Sequence, residues 1–305
     1  MKRLVILGGS GFMGQNLLRL LPPGRWQTLV YDQKPPRFHQ PDRYVQGDLA
    51  EVDQASELVL AGDVVIHLVH QGIPTDSAQD PAAEVSSNLY PFLRLLPALA
   101  RRRPALFLYS STGGQIYGHA QSLPVSEDAP TRPISAYGVV KLAMEHYLRI
   151  FASAQALPFL IVRISNPYGP FQEETNRHGA VPAIMRALLL DRPFIIYGRG
   201  DTVRDYIHVD DVISALLKLI EAGARDQVFN LGTGQGTSLN ELIERIEDIS
   251  GKKLKLKKEA IRSTDVLANV LDAARLRQAA GWEPRINLDF GLSLTWEYLK
   301  RHAHR

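Results

Sequence analysis

Short apolar runs alternate with longer amphipathic segments through the first half of the chain. The apolar runs predict β-strands at residues 4–7, 28–31, 64–68, 106–110 and 160–164. The segments between them predict helices near residues 14–21, 51–60, 85–102 and 137–154. The runs at 64–66 and 160–162 are continuously apolar, as expected for strands covered on both faces. The pattern therefore predicts an α/β fold, a Rossmann-like doubly wound parallel sheet.

The alternation breaks after residue 165, where the turn-rich segment Asn166-Pro167-Tyr168-Gly169-Pro170 begins a less regular region. A helix near residues 181–190, a strand at 194–197 and a helix near 209–221 follow. We expect residues 1–165 to form a nucleotide-binding domain, with a later contribution from about residues 203–235. Residues 166–305 are expected mainly to form a smaller, interleaved C-terminal substrate lobe.

Composition narrows the class of protein. A length of 305 residues favours two lobes over one core. A net charge of +3 is too small to indicate a nucleic-acid partner. The lysine-rich segment 251–258 alternates with leucine and is typical of a solvated strand edge, although a docking surface for an acidic partner is the alternative.

Cysteine is absent, so disulfides and thiolate metal sites are excluded, and we expect no metal. The N-terminal apolar run stops at Gly8, far short of a signal-peptide core or a membrane span of ~20 residues. We therefore expect a cytoplasmic protein with no membrane partner.

A glycine triplet, Gly8, Gly11 and Gly14, lies between the first strand and the first helix. Glycines are needed where the chain turns sharply, where the backbone touches phosphate and where a helix packs on a sheet. The helix N-terminus then offers free N–H groups to a pyrophosphate. The spacing GxxGxxG differs by one residue from the commoner GxGxxG, and a plain tight turn is the alternative. The triplet predicts a dinucleotide site.

Carboxylates after the next strands refine this prediction. Asp32 ends the second predicted strand, where it would accept both adenosine ribose hydroxyls and repel a 2′-phosphate. NAD is therefore favoured over NADP, although Lys34 lies close by. Asp48 follows the expected third strand and is predicted either to bond the adenine amino group or to cap a helix.

A tyrosine, a lysine and a threonine form the candidate catalytic set. Tyr137 and Lys141 are one helical turn apart, so both side chains lie on one face. A free tyrosine has a pKa of about 10, and a neighbouring ammonium and a positive nicotinamide both favour the phenolate. Thr112 closes a strand, where its hydroxyl is expected to bond a substrate oxygen and pass the proton to Tyr137. Asn88 either braces that strand end or is an ordinary polar helix residue.

These residues resemble the extended short-chain dehydrogenase/reductase family, and most closely its nucleotide-sugar 4-epimerases. The resemblance covers nearly the whole chain and extends through residues 162–170, 197–211, 229–234, 262–265 and 281–284. It implies that Tyr137, held by Lys141, takes a proton from a sugar hydroxyl while NAD takes the hydride. The keto sugar then rotates, the hydride returns to its other face, and NAD stays bound throughout.

The resemblance also implies a complete set of binding residues. The cofactor-binding positions are Gly8, Gly11, Phe12, Met13, Gly14, Asp32, Asp48, Leu49, Leu68, Tyr137 and Lys141. Asn166, Arg204 and Arg262 would hold the diphosphate of a UDP-hexose or UDP-N-acetylhexosamine, and Tyr197 would lie against the uracil. Guanidinium groups suit this task because they grip phosphate oxygens bidentately. A salt bridge with Asp201 or Asp205 is the alternative for Arg204. A homodimer through the helices near 85–102 and 137–154 is also implied.

Departures from the family pattern limit the reaction. Gly113-Gly114-Gln115 follows Thr112 where dehydratases of the family carry an Asp-Glu pair, which argues against dehydration and weakens a decarboxylase. His70 replaces a small residue, so it either lines the cofactor groove or is a plain loop histidine. Asn269 stands where a bulky residue narrows the sugar pocket in some relatives, a hint toward N-acetylated sugars.

Two other functions stay open. A nucleotide-sugar ketoreductase would exchange its cofactor at each turnover. A catalytically silent, cofactor-sensing regulator would lack the tyrosine or the lysine, and both are present.

Overall fold

A seven-stranded parallel sheet organises the molecule, in the order β11-β6-β5-β4-β1-β2-β3. The structure is a computed structural model that describes residues 2–72, 80–172, 179–260 and 266–302. The strands of this sheet are β1 (Lys2–Leu7), β2 (Trp26–Asp32), β3 (Arg43–Gln46), β4 (Val64–His67), β5 (Leu106–Thr112), β6 (Phe159–Ile164) and β11 (Gln227–Leu231). The predicted doubly wound α/β fold is confirmed.

Helices cover both faces of the sheet, and each face has its own apolar core. On one face lie α1 (Phe12–Leu20), α8 (Val209–Glu221) and α10 (Ala274–Ala280). On the other face lie α2 (Val52–Glu57), α4 (Tyr90–Arg102) and α6 (Ala136–Gln155). Because both faces are covered, β1 and β4 are buried almost throughout, which explains their continuous apolar runs.

Smaller sheets and a third core form beside the carboxyl ends of the main strands. The strands are β7 (Asn166–Tyr168) with β10 (Tyr206–His208), β8 (Phe194–Tyr197) with β13 (Leu256–Glu259), and β9 (Val203–Arg204) between β12 (Thr237–Ser238) and β14 (Ala268–Asn269). The helices that pack here are α7 (Ala180–Leu189), α9 (Leu239–Ser250) and α11 (Leu288–His302). Between these segments the chain returns to the main sheet as β11, beside β6.

The predicted helix at 85–102 is divided. It begins with α3 (Pro81–Glu84), passes through a π-helical turn at Val85–Leu89 and continues as α4. A π-turn inserts one extra residue into a helix and is frequent at functional sites. Another short helix, α5 (Gly113–Ile116), follows β5 directly.

The lysine-rich segment forms β13, whose four residues are all exposed and pair in parallel with β8. The solvated strand edge predicted there is therefore present, although it is shorter than the segment and leaves Leu254 buried. No helix in the described ranges is long and apolar enough to cross a membrane.

Candidate active site

The glycine loop after β1 is shaped for a close approach to its backbone. Gly8 has a φ of +84°, a left-handed conformation that favours glycine, and its N–H donates to the Tyr31 carbonyl oxygen at 2.9 Å. A Cβ on Gly14 would overlap the backbone of Gly9, so α1 packs directly on the loop. A Cβ on Gly11 would meet only one atom within 4 Å, the Gly8 carbonyl oxygen at 3.7 Å. Gly11 is the N-cap of α1 without a side-chain cap, which leaves the first N–H groups for an anion.

Asp32 is fixed at the end of β2 by this loop. Its Oδ2 accepts a hydrogen bond from the Ser10 N–H at 2.9 Å, and the Ser10 hydroxyl donates to the Lys34 carbonyl oxygen at 2.6 Å. Asp32 lines a cavity of about 300 Å³ that also touches Gly8, Gly11 and Phe12. A carboxylate fixed beside the phosphate loop has the position that ribose recognition requires.

Asp48 does not line that cavity, although its neighbours Gly47 and Leu49 do. Its Oδ2 accepts from Gln33 Nε2 at 2.8 Å, and its Oδ1 accepts from the Ala50 N–H at 2.9 Å. These bonds stabilise the turn that leads into α2, whose N-cap is Glu51. The turn role fits Asp48 better than an adenine contact, yet it is not the helix N-cap itself.

An aromatic cluster that the sequence did not reveal closes one end of the cavity. The rings of Phe38 and Phe171, which both line it, stack at 4.6 Å. Tyr298 meets Phe171 edge-on at 5.3 Å and stacks on His302 at 4.2 Å. The cluster joins the β2–β3 loop, the segment after β7 and α11, three parts of the chain that no local pattern connects.

Buried Gln15 holds the Phe38 loop against α1. Its Oε1 accepts from the N–H groups of Phe38 at 2.8 Å and His39 at 3.0 Å. The rim of the cavity is therefore tied to the phosphate loop through one side chain.

A second cavity of about 550 Å³ continues from the first, and both are lined by Gly8, Gly11, Phe12, Leu68 and His70. Four predicted catalytic or substrate-binding residues line it: Thr112, Tyr137, Asn166 and Arg204. Met13 lines this second cavity only, and Leu49 lines only the first. Tyr206, Gln115 and Pro182 also line it, and the sequence analysis missed them.

Two predicted substrate residues are not placed at this cavity by the described part of the structure. Tyr197 ends β8 and is not among the residues that line the second cavity, so the structure does not bring it to this site. Arg262 lies outside the described residues. Asn269 is buried and donates to the Gly113 carbonyl oxygen at 3.0 Å, away from the cavity wall. Its small size therefore gives no support to N-acetylated sugars.

Arg204 is presented to the second cavity by β9, which pairs with β12 and β14. The neighbouring Asp205 is fully buried, and its carboxylate accepts from Thr233, Gly234 and Leu271. Asp205 therefore organises the turn after β11.

The structure brings three predicted catalytic side chains close together, those of Thr112, Tyr137 and Lys141. Tyr137 lies in the first turn of α6, which Ser135 caps by accepting from the Gly138 N–H at 3.1 Å. The Tyr137 phenol is hydrogen-bonded to the Thr112 hydroxyl at the end of β5. The Lys141 ammonium donates to the Ser110 carbonyl oxygen at 3.0 Å and lies 5.9 Å from the centre of the Tyr137 ring. The geometry suits proton transfer between hydroxyls beside a fixed cation.

The protein by itself does not make Tyr137 acidic. Desolvation raises its pKa above the ordinary value and the Glu84 carboxylate raises it further, while the Thr112 hydrogen bond acts in the opposite direction. Burial lowers the pKa of Lys141 to about 8, against the opposing effect of Glu145 and Glu84. The sequence predicts that the Lys141 ammonium and a positive nicotinamide ring together favour the phenolate. Desolvation of the phenolate is the larger effect here, so a further positive charge is needed to favour the phenolate.

His70 lines both cavities, so the plain-loop interpretation is wrong. Its ring meets that of Tyr137 edge-on at 4.6 Å, and its Nε2 lies 3.1 Å from Glu84 Oε2. Asn88 does not brace the end of β5 as expected. Its amide accepts from the Gln71 N–H at 2.7 Å and donates to the Gln71 carbonyl oxygen at 2.9 Å, so it fixes the loop after β4.

These residues fit NAD. The uncapped start of α1 and the open face at Gly11 would take the pyrophosphate, and Asp32 would take the adenosine ribose. Tyr137 lines the second cavity, beside the residues that the two cavities share, and Lys141 lies behind it without lining either cavity, so the nicotinamide is expected at this end. The described residues include no cluster of three or more side chains able to hold a metal ion.

Comparison with known proteins agrees with this geometry. Residues 4–232 match the model of the NAD dependent epimerase/dehydratase family. The UDP-glucose 4-epimerase of Mycolicibacterium smegmatis is 30% identical over 311 residues, covering 99% of each chain. The UDP-glucose 4-epimerase of Thermotoga maritima, solved with UDP-glucose, superposes with a TM-score of 0.92 at 30% identity and covers 99% of both chains.

A Thermus thermophilus UDP-glucose 4-epimerase, solved in complex with NAD, gives a TM-score of 0.89 at 27% identity over 98% of this chain and 99% of that one. The family model spans most of the chain, and the described site has a phosphate-binding loop and the side chains of Thr112, Tyr137 and Lys141. This chain therefore belongs to the NAD dependent epimerase/dehydratase family and is an NAD-dependent epimerase.

Proposed function

We propose that this enzyme interconverts UDP-hexoses by inverting the configuration at C4 of the sugar. The observation that carries the proposal is the hydrogen bond between Thr112 and Tyr137, beside Lys141, where the cofactor groove opens into the second cavity. Similarity to UDP-glucose 4-epimerases along the whole chain supports the choice of reaction.

Proton transfer follows from the positions of the side chains. Bound NAD supplies the reversible oxidant for C4 and adds positive charge at the nicotinamide ring. Tyr137 accepts the proton of the C4 hydroxyl through the Thr112 hydroxyl and later returns it. The buried Lys141 ammonium, fixed on the Ser110 carbonyl oxygen, stabilises the phenolate while it exists.

The sugar must turn over between the two halves of the reaction, so the protein has to hold its other end. We propose that Arg204 and Asn166, on the wall of the second cavity, bind the diphosphate. Arg262, outside the described residues, remains a proposed contact for the diphosphate, and Tyr197, which does not line the second cavity, remains a proposed contact for a uracil bound beyond it. Anchoring by diphosphate leaves the hexose free to rotate above Tyr137.

Release of cofactor from purified protein tests the reaction class. An epimerase regenerates its oxidant within each cycle, so oxidised NAD should remain with the protein and appear after denaturation. Incubation with UDP-glucose, UDP-galactose and their N-acetylated counterparts should then give interconversion without added cofactor.

Two outcomes would contradict the proposal. An empty site with net consumption of a reduced nicotinamide would indicate the ketoreductase alternative. Failure of every UDP-hexose, with NAD bound, would remove the substrate assignment.

We further propose a homodimer formed through α4 and α6. Val139, Tyr147 and Ile150 on α6 are 41% to 62% exposed, and Val85 and Tyr90 on the adjoining helix are 45% and 59% exposed. Large apolar side chains grouped on two adjacent helices are typical of an interface. Ile150→Lys should convert a dimer to a monomer in analytical ultracentrifugation, and an unchanged dimer would place the interface elsewhere.

The division of labour proposed for the chain assigns NAD to residues 1–165 with residues 203–235, and the substrate mainly to residues 166–305. A cytoplasmic location also remains part of the proposal, in keeping with a chain that has no cysteine.

A further inference from the structure

His70, in the loop after β4, and Glu84, at the end of α3, form a largely buried pair of side chains to which the reaction described above assigns no role. Their side chains are 11% and 4% exposed, and His70 Nε2 lies 3.1 Å from Glu84 Oε2. Carboxylates are rarely buried to this degree without a partner, so the contact accounts for the position of Glu84.

The pair is held in a fixed frame. Glu84 ends α3, and its Oε2 also accepts from Asn88 Nδ2 at 3.3 Å. Asn88, in the π-helical turn, holds Gln71 through both backbone groups. The imidazole is therefore fixed between a buried carboxylate and a clamped loop.

The ring of Tyr137 also contacts the imidazole. The two rings meet edge-to-face, with centroids 4.6 Å apart and planes at 78°. His70 also lines the junction of the two cavities, where Tyr137 must keep its orientation toward the substrate. An edge-to-face contact of this kind favours one orientation of the phenol ring.

The charge near Tyr137 comes from few groups. Glu145 is committed to Arg163, with Arg163 Nη2 2.7 Å and Nε 3.2 Å from the carboxylate oxygens. Glu84 is the other carboxylate whose field acts on Lys141. Among the described residues, His67 of β4 also interacts electrostatically with Lys141 and His70, and Tyr109 of β5 with Glu145 and Tyr137.

We propose that His70 and Glu84 form a positioning pair for Tyr137, in which the imidazole orients the phenol and the net charge of the pair sets how readily the phenol gives up its proton. The inference rests on the proposed function, because it assigns Tyr137 the role of base. With a proton on His70 the pair is neutral. Without it the pair carries one negative charge, which opposes the phenolate.

Two substitutions that change the charge of the pair in opposite directions should shift the pH dependence of catalysis in opposite directions. Glu84→Gln removes the negative charge, so the acid limb of kcat/KM against pH should move to lower pH by about one unit. His70→Gln keeps a donor for Glu84 but cannot become a cation, so the same limb should move to higher pH. The double variant should behave like Glu84→Gln. Two single variants that shift together, or not at all, would overturn the proposal.

Matched controls separate these shifts from general damage. Glu247→Gln removes a carboxylate from α9, and His119→Gln removes an exposed histidine, and neither residue lines the two cavities. Both controls should keep the wild-type limb. His70→Phe restores a ring against Tyr137 without the ion pair, and it should recover kcat relative to His70→Gln if the ring orients the phenol. No recovery would remove the orienting role.

A measurement without substrate keeps the inference separate from the proposed function. The chain has nine histidines, and in protein labelled with ¹³C at histidine Cε1 the resonance missing from His70→Gln identifies His70. Its titration midpoint in the NAD-bound protein should fall by about one unit in Glu84→Gln, because a carboxylate favours the imidazolium. An unchanged midpoint would overturn the pair even if the enzyme is an epimerase. Absence of turnover with the expected shift would instead contradict the proposed function.

Discussion

The Lys141 ammonium donates a hydrogen bond to the Ser110 carbonyl oxygen at 3.0 Å, which joins α6 to the carboxyl end of β5. Thr112 ends the same strand and Tyr137 begins the same helix. This contact therefore holds the helix that carries Tyr137 and Lys141 against the strand that carries Thr112. It keeps the two hydroxyl groups and the ammonium close to one another.

Removing the phenol should stop the reaction. Tyr137→Phe deletes the proposed base while keeping the ring against His70, so we expect turnover of UDP-hexose to fall by about 10²–10⁴. The variant should still carry NAD through purification. Tyr147→Phe is the control, because it removes a partly exposed phenol from the same helix and keeps the apolar ring at the proposed dimer interface. Turnover within a few-fold of wild type would show that Tyr137 is not the base.

Lys141 gives the protein a pH-dependent stability. Its pKa is about 8 in the folded protein, below the ordinary 10.5, because it is buried. Between these values the unfolded chain binds the proton more strongly, so stability rises with pH from about 8 to 10.5. The gain is on the order of 3 kcal/mol.

Urea unfolding of the apoprotein at pH 7.5–10.5 measures this term as the difference between wild type and Lys141→Met. The free energy of unfolding of the wild-type protein should increase relative to that of the variant as the pH rises. Lys218→Met, in the last turn of α8, should show no such trend. A constant difference between wild type and Lys141→Met would mean that the buried ammonium keeps its ordinary pKa.

Asp32 should decide cofactor preference. Asp32→Ala removes the carboxylate that Ser10 fixes beside the phosphate loop, so NAD should bind about 10–100-fold more weakly. The affinity for NADP should fall less than the affinity for NAD, because the variant no longer repels the 2′-phosphate of NADP. Calorimetric titration of the apoprotein with both dinucleotides measures the ratio. Asp53→Ala, at an exposed carboxylate on α2, is the control, and an unchanged ratio would place Asp32 away from the ribose.

The aromatic cluster should slow the loss of NAD. Phe171→Ala removes its stack on Phe38 at 4.6 Å and its contact with Tyr298 at 5.3 Å. We expect NAD to dissociate about tenfold faster, since each aromatic contact contributes ~1 kcal/mol. Rapid dilution into excess competitor measures the rate. Phe290→Ala on α11, where the ring is exposed, should release NAD at the wild-type rate, and equal rates in both variants would exclude the cluster from retention.

Arg204 should act on substrate affinity. Arg204→Ala removes a guanidinium from the wall of the second cavity, so KM for the UDP-sugar should rise about tenfold or more with a smaller change in kcat. Arg199→Ala, on the exposed turn after β8, is the control for loss of a surface charge. A KM equal to that of the control would make Arg204 a structural residue.

The sequence alone determined the parallel sheet, the phosphate loop and the paired tyrosine and lysine. Each depends on neighbours within a strand, a turn or one helical turn, where residue type and spacing act directly on the backbone. The glycines at 8 and 14 are the sharpest case, because Gly8 has a φ of +84° and a Cβ on Gly14 would overlap the backbone of Gly9.

Only the tertiary structure decided which distant groups share one environment. It brought His70 and Glu84 to Tyr137, stacked Phe38 on Phe171, and kept Tyr197 and Asn269 out of the cavity wall. It also showed that burial, which raises the pKa of Tyr137, outweighs the hydrogen bond with Thr112, which lowers it. Spacing along the chain does not encode these outcomes, because burial and electrostatic fields depend on every segment packed around a group.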